Sequence, residues 1–516
     1  VRTRSLRPSQ GRDARTIRFA TTRAREPVWD PALASWCVWI QEATVLDLPG
    51  GKIHSAWATE DPDGPPDRTW IPTWWKQATA GRSTLLVMHE PERDLALLGE
   101  PPGWTRCEEL REPFRMVYRR GQRRLEIIGW RNLYPGNPGE VSWMWAAEWV
   151  SRYVDWIRAN DLGPKIEYTI ARQSMLGLRR MLTPSNTLWW HQNPELHQFE
   201  FATARAQGIT RITPGFDVFY PKLHVLDFTA FYVSIMANYP MPKECKGYVG
   251  KRHPLPPHKR AKAMWALLLD RGYLMLADVT VNGERRFLAT PDLLELQAKD
   301  IEGVHRMAWY SETRVLQQWA RKMWDLRQRA PKDLTASAKA LGVTLWGHLC
   351  RQSYDFVPDT AVPWKSSEPD PDGTVWDHEL QRMVRYDGSG NRLIQKPDTW
   401  KPKRFNAIGA HVLCHARRLM AERMKDVEVV YAHTDSIWSL QPVKGTLSLP
   451  YGLGGVDQGT KRNVEFRDGM RIVQGKVDAQ PGRALHPDRP TWAPFDHPAV
   501  PEGAALFQVG GIWRAP

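Results

Sequence analysis

Two segments far apart in the chain constrain its fold most: Leu226–Ile235, reading LDFTAFYVSI, and Val430–Ile437, reading VYAHTDSI. Each sets an aspartate, Asp227 or Asp435, at the edge of an apolar run rich in aromatic and β-branched residues, a composition suited to a half-buried strand. Taken singly, an aspartate beside a strand is most often a turn former, because its side chain bonds nearby backbone. Two carboxylates on neighbouring strands do more. They hold two divalent cations about 3.5–4 Å apart, the geometry that activates a hydroxyl and neutralises a triphosphate during in-line phosphoryl transfer.

In this order the two segments resemble motifs A and C of the family B DNA polymerases. In the motif A pattern D-x-x-S-L-Y-P-S-I, Asp227, Tyr232, Ser234 and Ile235 fall in register, with Phe231 in place of Leu. In the motif C pattern Y-x-D-T-D-S, Tyr431, Thr434, Asp435 and Ser436 match, and His433 stands where the first Asp is expected. Motif B, K-x-x-x-N-S-x-Y-G, belongs between them, and Lys339–Gly347 reads KALGVTLWG. Lys339 and Gly347 match, Thr344 and Trp346 are conservative, and Val343 departs. The motifs cover the C-terminal half of the chain. The branch they resemble most is the protein-primed one of small phages and linear plasmids. The fold this implies is a multidomain α+β right hand of palm, fingers and reduced thumb, preceded by a ribonuclease H-like exonuclease-type domain.

Composition agrees with a polyanionic partner. The net charge is +14 and the isoelectric point near 9.5, although arginine is used heavily throughout. The 26 Trp exceed what base stacking needs, so most are expected in the core. Five Cys at positions 37, 107, 245, 350 and 414 form no C-x-x-C pair, which argues against a zinc ribbon or a disulfide framework and fits a reducing compartment. No apolar run approaches the ~18 residues that a membrane span needs, and the N-terminus lacks the apolar stretch of a signal peptide. The expectation is a cytoplasmic protein with no membrane partner, in a bacterial cell and open to phage or plasmid origin.

Along the chain, residues 1–16 read as a basic arm. Residues 1–25 hold eight Arg against the single acid Asp13. Residues 17–170 alternate strands and helices, with strands at Ser83–Met88 and Leu125–Trp130 and a helix at Trp143–Ala159. The resemblance places a 3′–5′ exonuclease domain here, in degenerate form. Where F-D-x-E-T is expected, Phe19–Arg23 reads FATTR. Ala20 and Thr22 replace both acids and Arg23 adds a cation. Asp94 and Asp155 are the remaining candidates, and both read best as surface acids. Residues 171–304 form the palm with motif A, a strand over 215–235, and a hairpin turning at Val281–Glu284. Residues 305–354 are the fingers, with helices over 311–329 and 331–350 that meet at Ala330–Pro331 and place Lys332 and Lys339 on one face. Residues 355–403, rich in Pro, Asp, Gly and Ser, are an insertion. Residues 404–445 return to the palm with a helix at Asn406–Met424 and then motif C. Residues 446–516 are thumb-like, without the expected K-x-Y, and Lys476 is a candidate basic contact.

The resemblance implies a DNA-directed DNA polymerase, a nucleotidyltransferase without proofreading. Asp227 and Asp435, with the backbone carbonyl of Phe228, would ligate two Mg²⁺, with Mn²⁺ as a substitute. Lys339 would neutralise developing phosphate charge. Backbone N–H groups at Ala230 and Phe231 would cradle the triphosphate, with Arg321 and Lys332 contributing. Tyr232 would exclude a 2′-hydroxyl. His433 and Thr434 neighbour the metals. The implied partners are primer-template DNA, dNTPs and a priming terminal protein. Two alternatives stand beside this: a non-catalytic relative that binds DNA, and a polymerase with template-independent, priming or lesion-bypass activity.

Overall fold

The computed structural model describes residues 3–5, 15–24, 28–30, 35–37, 40–48, 52–58, 70–110, 113–136, 141–183, 185–191, 193–207, 218–250, 258–297, 300–350, 356–358, 375–377, 382–386, 392–395, 405–425, 427–433, 435–443, 456–467, 470–473, 476–479, 483–486, 489–494, 507–509 and 512–514. Most of the expected N-terminal arm and of the 355–403 insertion lies outside them, as do Thr434 and the side chains of Arg23, His433, Asp457 and Lys476. The chain divides into two compact units. One comprises 7–184 and 322–348, the other 1–6, 185–321 and 349–516.

The first unit is built on a seven-stranded sheet. Its order is Lys52–Ala58, Ile40–Leu48, Thr16–Ala24, Ser83–Met88, Arg123–Gly129, Arg115–Arg120, Thr105–Leu110. The three central strands run parallel. Parallel strands covered on both faces become continuous apolar runs, and Thr84 to Met88 are all buried. The helix Ile71–Ala78 packs Trp74 and Trp75 against Leu86, Met88, Leu125 and Ile127. The helix Trp143–Ala159 forms as expected. Ser142 accepts from Trp145 N–H at its start, a cap worth about 1 kcal/mol. Its apolar stripe buries Ala146, Trp149, Val150, Tyr153 and Ile157. The largest fully buried side chains include Trp74, Trp75, Trp130, Trp149 and Trp319, so much of the tryptophan is core.

The second unit carries a six-stranded sheet ordered Val429–His433, Ser436–Ser439, Val218–Phe228, Val456–Arg467, Met470–Val473, Lys476–Ala479. Residues 456–479, placed by sequence in a thumb-like segment, thus extend the sheet that holds motifs A and C. A second, four-stranded sheet contains the expected hairpin: Leu274–Val281 pairs with Glu284–Ala289. Asn282 at φ 52° and Gly283 at φ 77° make its turn, the left-handed pair that matches strand twist. The helix Asn406–Met424 has the expected bounds and buries His411, whose Nε2 lies 3.1 Å from Thr290 Oγ1.

Two expectations fail locally. The motif A strand ends at Phe228, and Phe231–Asn238 is a helix. Ala230 at φ 50° breaks the strand, and the β-prone Phe231, Val233 and Ile235 are buried almost all round, where core contacts override propensity. In the fingers segment the first helix starts at Val315, after a strand ending at Thr313. The second starts at Thr335, because Pro331 opens a turn closed by Leu334 N–H to Pro331 O at 2.8 Å. Lys332 therefore precedes the helix and shares no helical face with Lys339.

Candidate active site

The strand Val218–Phe228 carries Asp227 next to its C-terminal end and pairs antiparallel with Ser436–Ser439, Asp227 opposite Ser436. His433 faces Ser436 from the next strand, and Asp435 lies in the turn between these two. Phe228 N–H donates to Asp435 O at 2.8 Å, which ties the two acidic segments together at the backbone. Asp227 is exposed and Asp435 half-buried. Both acids keep the solvent access that Mg²⁺ requires, since that ion retains waters and takes one or two carboxylates plus substrate phosphate oxygens. The oxygen-only donor set suits a hard divalent cation.

The sequence missed one acid. Val456–Arg467 pairs with the other edge of the motif A strand and sets Asp457 opposite Asp227. Positions paired across antiparallel strands share a face. His433, Ser436, Asp227 and Asp457 therefore form one row across four strands. The signal was present only as an Asp starting a polar run after a Gly-rich stretch, and nothing local links it to a partner more than 200 residues away.

Past Asp227 the chain turns sharply into the helix Phe231–Asn238. Ala230 in the left-handed region costs about 1 kcal/mol and starts the helix there, so its first free N–H groups lie close after Asp227 in the chain. Free N–H groups at a helix start favour anions. Phe231 stacks on Phe228 with centroids 4.4 Å apart, which fixes the turn. Tyr232 is half-buried. Burial, and then the charge of Asp435, push its phenol above the ordinary range, so it stays neutral beside that carboxylate. Ser234 Oγ donates to Ala230 O at 3.1 Å. Arg321 reaches the opposite end of the helix, donating to Ala237 O at 3.4 Å. That contact serves the negative helix end rather than the Ala230–Phe231 end.

In the other unit, the motif B helix Thr335–Cys350 exposes Lys339 and leaves Val343, Trp346 and Gly347 half-buried. Spacings of three and four put these positions on one face. Ser174 donates to Leu341 O at 2.7 Å and lies 3.2 Å from Thr344 Oγ1. Trp149 Nε1 donates to Asp333 O at 3.1 Å. These contacts hold the helix to its own unit. Lys332 is exposed. Lys322 is half-buried, and burial lowers its pKa.

Among the positions read from sequence as degenerate exonuclease residues, one differs from expectation. Ala20 and Thr22 are buried as the strand requires, and Asp155 is exposed. Asp94, expected at the surface, is fully buried. Thr22 Oγ1 donates to Asp94 Oδ1 at 2.7 Å, Glu90 N–H to Oδ2 at 3.2 Å, and Arg93 Nη2 approaches Oδ1 at 3.4 Å. Burial outweighs these donors and raises the carboxyl above the ordinary range. Asp94 is thus enclosed by Thr22 and its neighbours.

One more cluster brings metal-type donors together: His191, His197 and Glu200, all buried, with ligand atoms within 4.8 Å. Tyr310 O–H donates to Glu200 Oε1 at 2.8 Å, and Asn193 N–H donates to His191 Nδ1 at 3.3 Å. The latter bond places the neutral proton on Nε2, which faces Glu200 at 3.0 Å. Tyr310 and Asn193 hold Glu200 and His191 in place, while His191 Nε2 is left without a hydrogen-bond partner among the described residues.

No protein-family model and no curated protein matches the sequence. Solved structures do. Phi29 DNA polymerase with primer-template DNA and incoming nucleotide matches with a TM-score of 0.56 at 11% identity, over 97% of this chain and 98% of that one. The same polymerase in an orthorhombic crystal form gives 0.54 at 12% identity, over 97% and 98%. Its post-translocation binary complex with primer-template DNA gives 0.52 at 13% identity, over 97% and 99%. Over nearly its whole length the chain shares the fold of Phi29 DNA polymerase, a protein-primed polymerase of family B.

Proposed function

We propose that the chain is a DNA-directed DNA polymerase that adds dNTPs to a primer 3′-hydroxyl and has no 3′–5′ exonuclease activity. The observation that carries this is the backbone bond from Phe228 N–H to Asp435 O, which sets two accessible carboxylates on adjoining strand ends beside a neutral tyrosine. The polymerase whose fold it shares binds primer-template DNA and incoming nucleotide.

Asp227 and Asp435 would hold two Mg²⁺, with Phe228 O as a further ligand. Bound there, the ions would supply activation of the 3′-hydroxyl and charge to offset the leaving pyrophosphate. The N–H groups at Ala230 and Phe231 would donate to the triphosphate oxygens. Tyr232 closes against the sugar. Asp457, paired by register with Asp227, would supply the negative charge that His433 does not.

The exonuclease half of the proposal rests on Ala20 and Thr22. With both strand acids gone and Asp94 enclosed, too few carboxylates remain to hold paired ions. A primer-extension gel with and without template tests the whole reading. Asp227→Asn and Asp435→Asn should each abolish template-directed addition while keeping DNA affinity. Absence of extension by the wild type, or wild-type rates in either variant, overturns it. Extension without template favours the unconventional polymerase instead.

A further inference from the structure

The first unit's sheet ends in the hairpin Arg115–Arg120 to Arg123–Gly129, whose tip reads Arg119-Arg120-Gly121-Gln122-Arg123-Arg124. Register places Arg120 directly opposite Arg123 and Arg119 directly opposite Arg124. Like charges facing across strands destabilise a sheet, and the tip holds two such pairs.

The surrounding acids do not neutralise it. Glu100 and Glu109 pair with Arg106, Glu108 pairs with Arg115, and Glu126 is shared by Arg15, Arg115 and Arg124. Arg123 folds back on Gly81 O and Thr79 O and lies 5.4 Å from the Trp104 ring. The guanidinium groups of Arg82, Arg119 and Arg120 are exposed and have no partner among the described residues. Eight Arg thus stand around four Glu. Arginine offers a fixed fork of donors suited to phosphate.

We infer that this hairpin tip is a nucleic-acid contact, a clamp on the phosphodiester backbone carried by the first unit, with Arg119 and Arg120 each engaging a phosphate. It rests on the nucleic-acid reading above. The repulsion built into the free hairpin is relieved when phosphates enter between the cations. The contact is independent of sequence, because phosphates position a strand but do not specify bases.

The experiment measures affinity against salt for the full chain in EDTA, using a labelled oligothymidylate and, separately, a labelled duplex. Each lost phosphate contact removes about 0.9 from the slope of log K against log salt for duplex and about 0.7 for single strands. Arg119→Gln/Arg120→Gln should therefore flatten the slope by about 1.8 or 1.4. Between 50 and 200 mM salt the wild type then loses about 12-fold more duplex affinity, or about 7-fold more single-strand affinity, than the variant. Whichever probe responds identifies the strand form held. Arg119→Lys/Arg120→Lys should keep most of the slope. Arg158→Gln/Arg271→Gln, with the same loss of charge at other exposed positions, should leave it unchanged. The melting temperature of the Gln pair at low salt should equal or exceed that of the wild type, which separates lost contact from misfolding. Equal slopes for wild type and Gln pair on both probes, or equal flattening in the Arg158/Arg271 control, overturn the inference. Neither result touches the polymerase proposal, which stands or falls on extension by the wild type.

Discussion

Thr22→Val tests the enclosed Asp94 most sharply. The substitution keeps the shape of the side chain and removes the hydroxyl that donates to Asp94 Oδ1 at 2.7 Å. The carboxylate stays fully buried, with Glu90 N–H at 3.2 Å and Arg93 at 3.4 Å as weaker donors. A hydrogen bond to a charged group is worth about 1.5–3 kcal/mol, which for a unit of this size lowers the melting temperature by roughly 3–12 °C. The pH dependence has a definite sign. Burial raises the folded pKa of Asp94 above its unfolded value. Between the two values the folded state binds more protons, so stability falls as pH rises through that window. Thr22 opposes this by favouring the charged form. The deficit of Thr22→Val is therefore full well above the folded pKa and shrinks as pH falls through it. Asp94→Asn serves as the partner variant: Thr22 then turns acceptor for the amide, and the neutral side chain carries no burial cost for charge. It should match or exceed wild-type stability at pH 7. Thermal unfolding followed by tryptophan fluorescence at several pH values reads both. Superimposable wild-type and Thr22→Val curves at pH 7 would refute the enclosure, and so would metal-dependent shortening of a mismatched primer that Asp94→Asn abolishes.

Other outcomes follow from the same contacts. Tyr232→Ala should admit ribonucleotides by removing the ring beside the sugar, seen as rNTP incorporation on a primer-template; a wild type that already uses rNTPs freely would remove the gate assignment. Arg306→Met should destabilise the chain by about 3–5 kcal/mol, because Arg306 and Arg285 each donate at 2.8 Å to the fully buried Asp278; a chemical denaturation midpoint within error of wild type would contradict this. Burial pushes Asp278 up, but the two guanidiniums win and depress it, so its stabilisation is present above the unfolded carboxylate pKa and is lost as acid titrates it, a loss visible in midpoints taken on the acid side. His433→Asp should raise apparent Mg²⁺ affinity in primer extension and reduce stimulation by Mn²⁺, since carboxylate suits the harder ion and imidazole later transition metals; unchanged metal titrations would make His433 a bystander.

The parts of the fold legible in sequence are those whose signal is local. The helix Trp143–Ala159 announces itself by an apolar stripe at helical spacing and a serine cap, and the Asn282-Gly283 turn by residues that accept positive φ. The errors have a common cause. Phe231, Val233 and Ile235 look like strand because their propensity is β, but Ala230 turns the chain and burial on every side makes a helix serviceable. Pro331 fits the first turn of a helix equally well as it fits a tight turn, and the bond from Leu334 N–H decides for the turn. Asp94 sits among His89, Glu90, Glu92 and Arg93, a polar context that reads as surface, while the threonine that buries it lies 72 residues earlier.

The candidate site shows the same limit in a more consequential form. Asp227 and Asp435 are recoverable because each carries a pattern of neighbours. Asp457 carries none, and only the pairing of Val456–Arg467 with the motif A strand places it opposite Asp227. The substitution of His433 for an acid, read in sequence alone, removes a negative charge from the metals. In the sheet that loss occurs at one end of a row whose other end is Asp457, with Asp227 beside it. By strand register Asp457 is the acid that would bring the count beside Asp227 and Asp435 to three. If that count is what the chemistry needs, Asp457→Asn should weaken Mg²⁺-dependent extension far more than an isolated surface substitution does, and His433→Asp should restore part of the loss in the double variant by returning an acid to the same row. Metal titrations of the two single variants and the double decide it: a gain from His433→Asp that is larger in the Asp457→Asn background than alone supports the compensation argued from strand register, and a gain no larger there than alone would sink it.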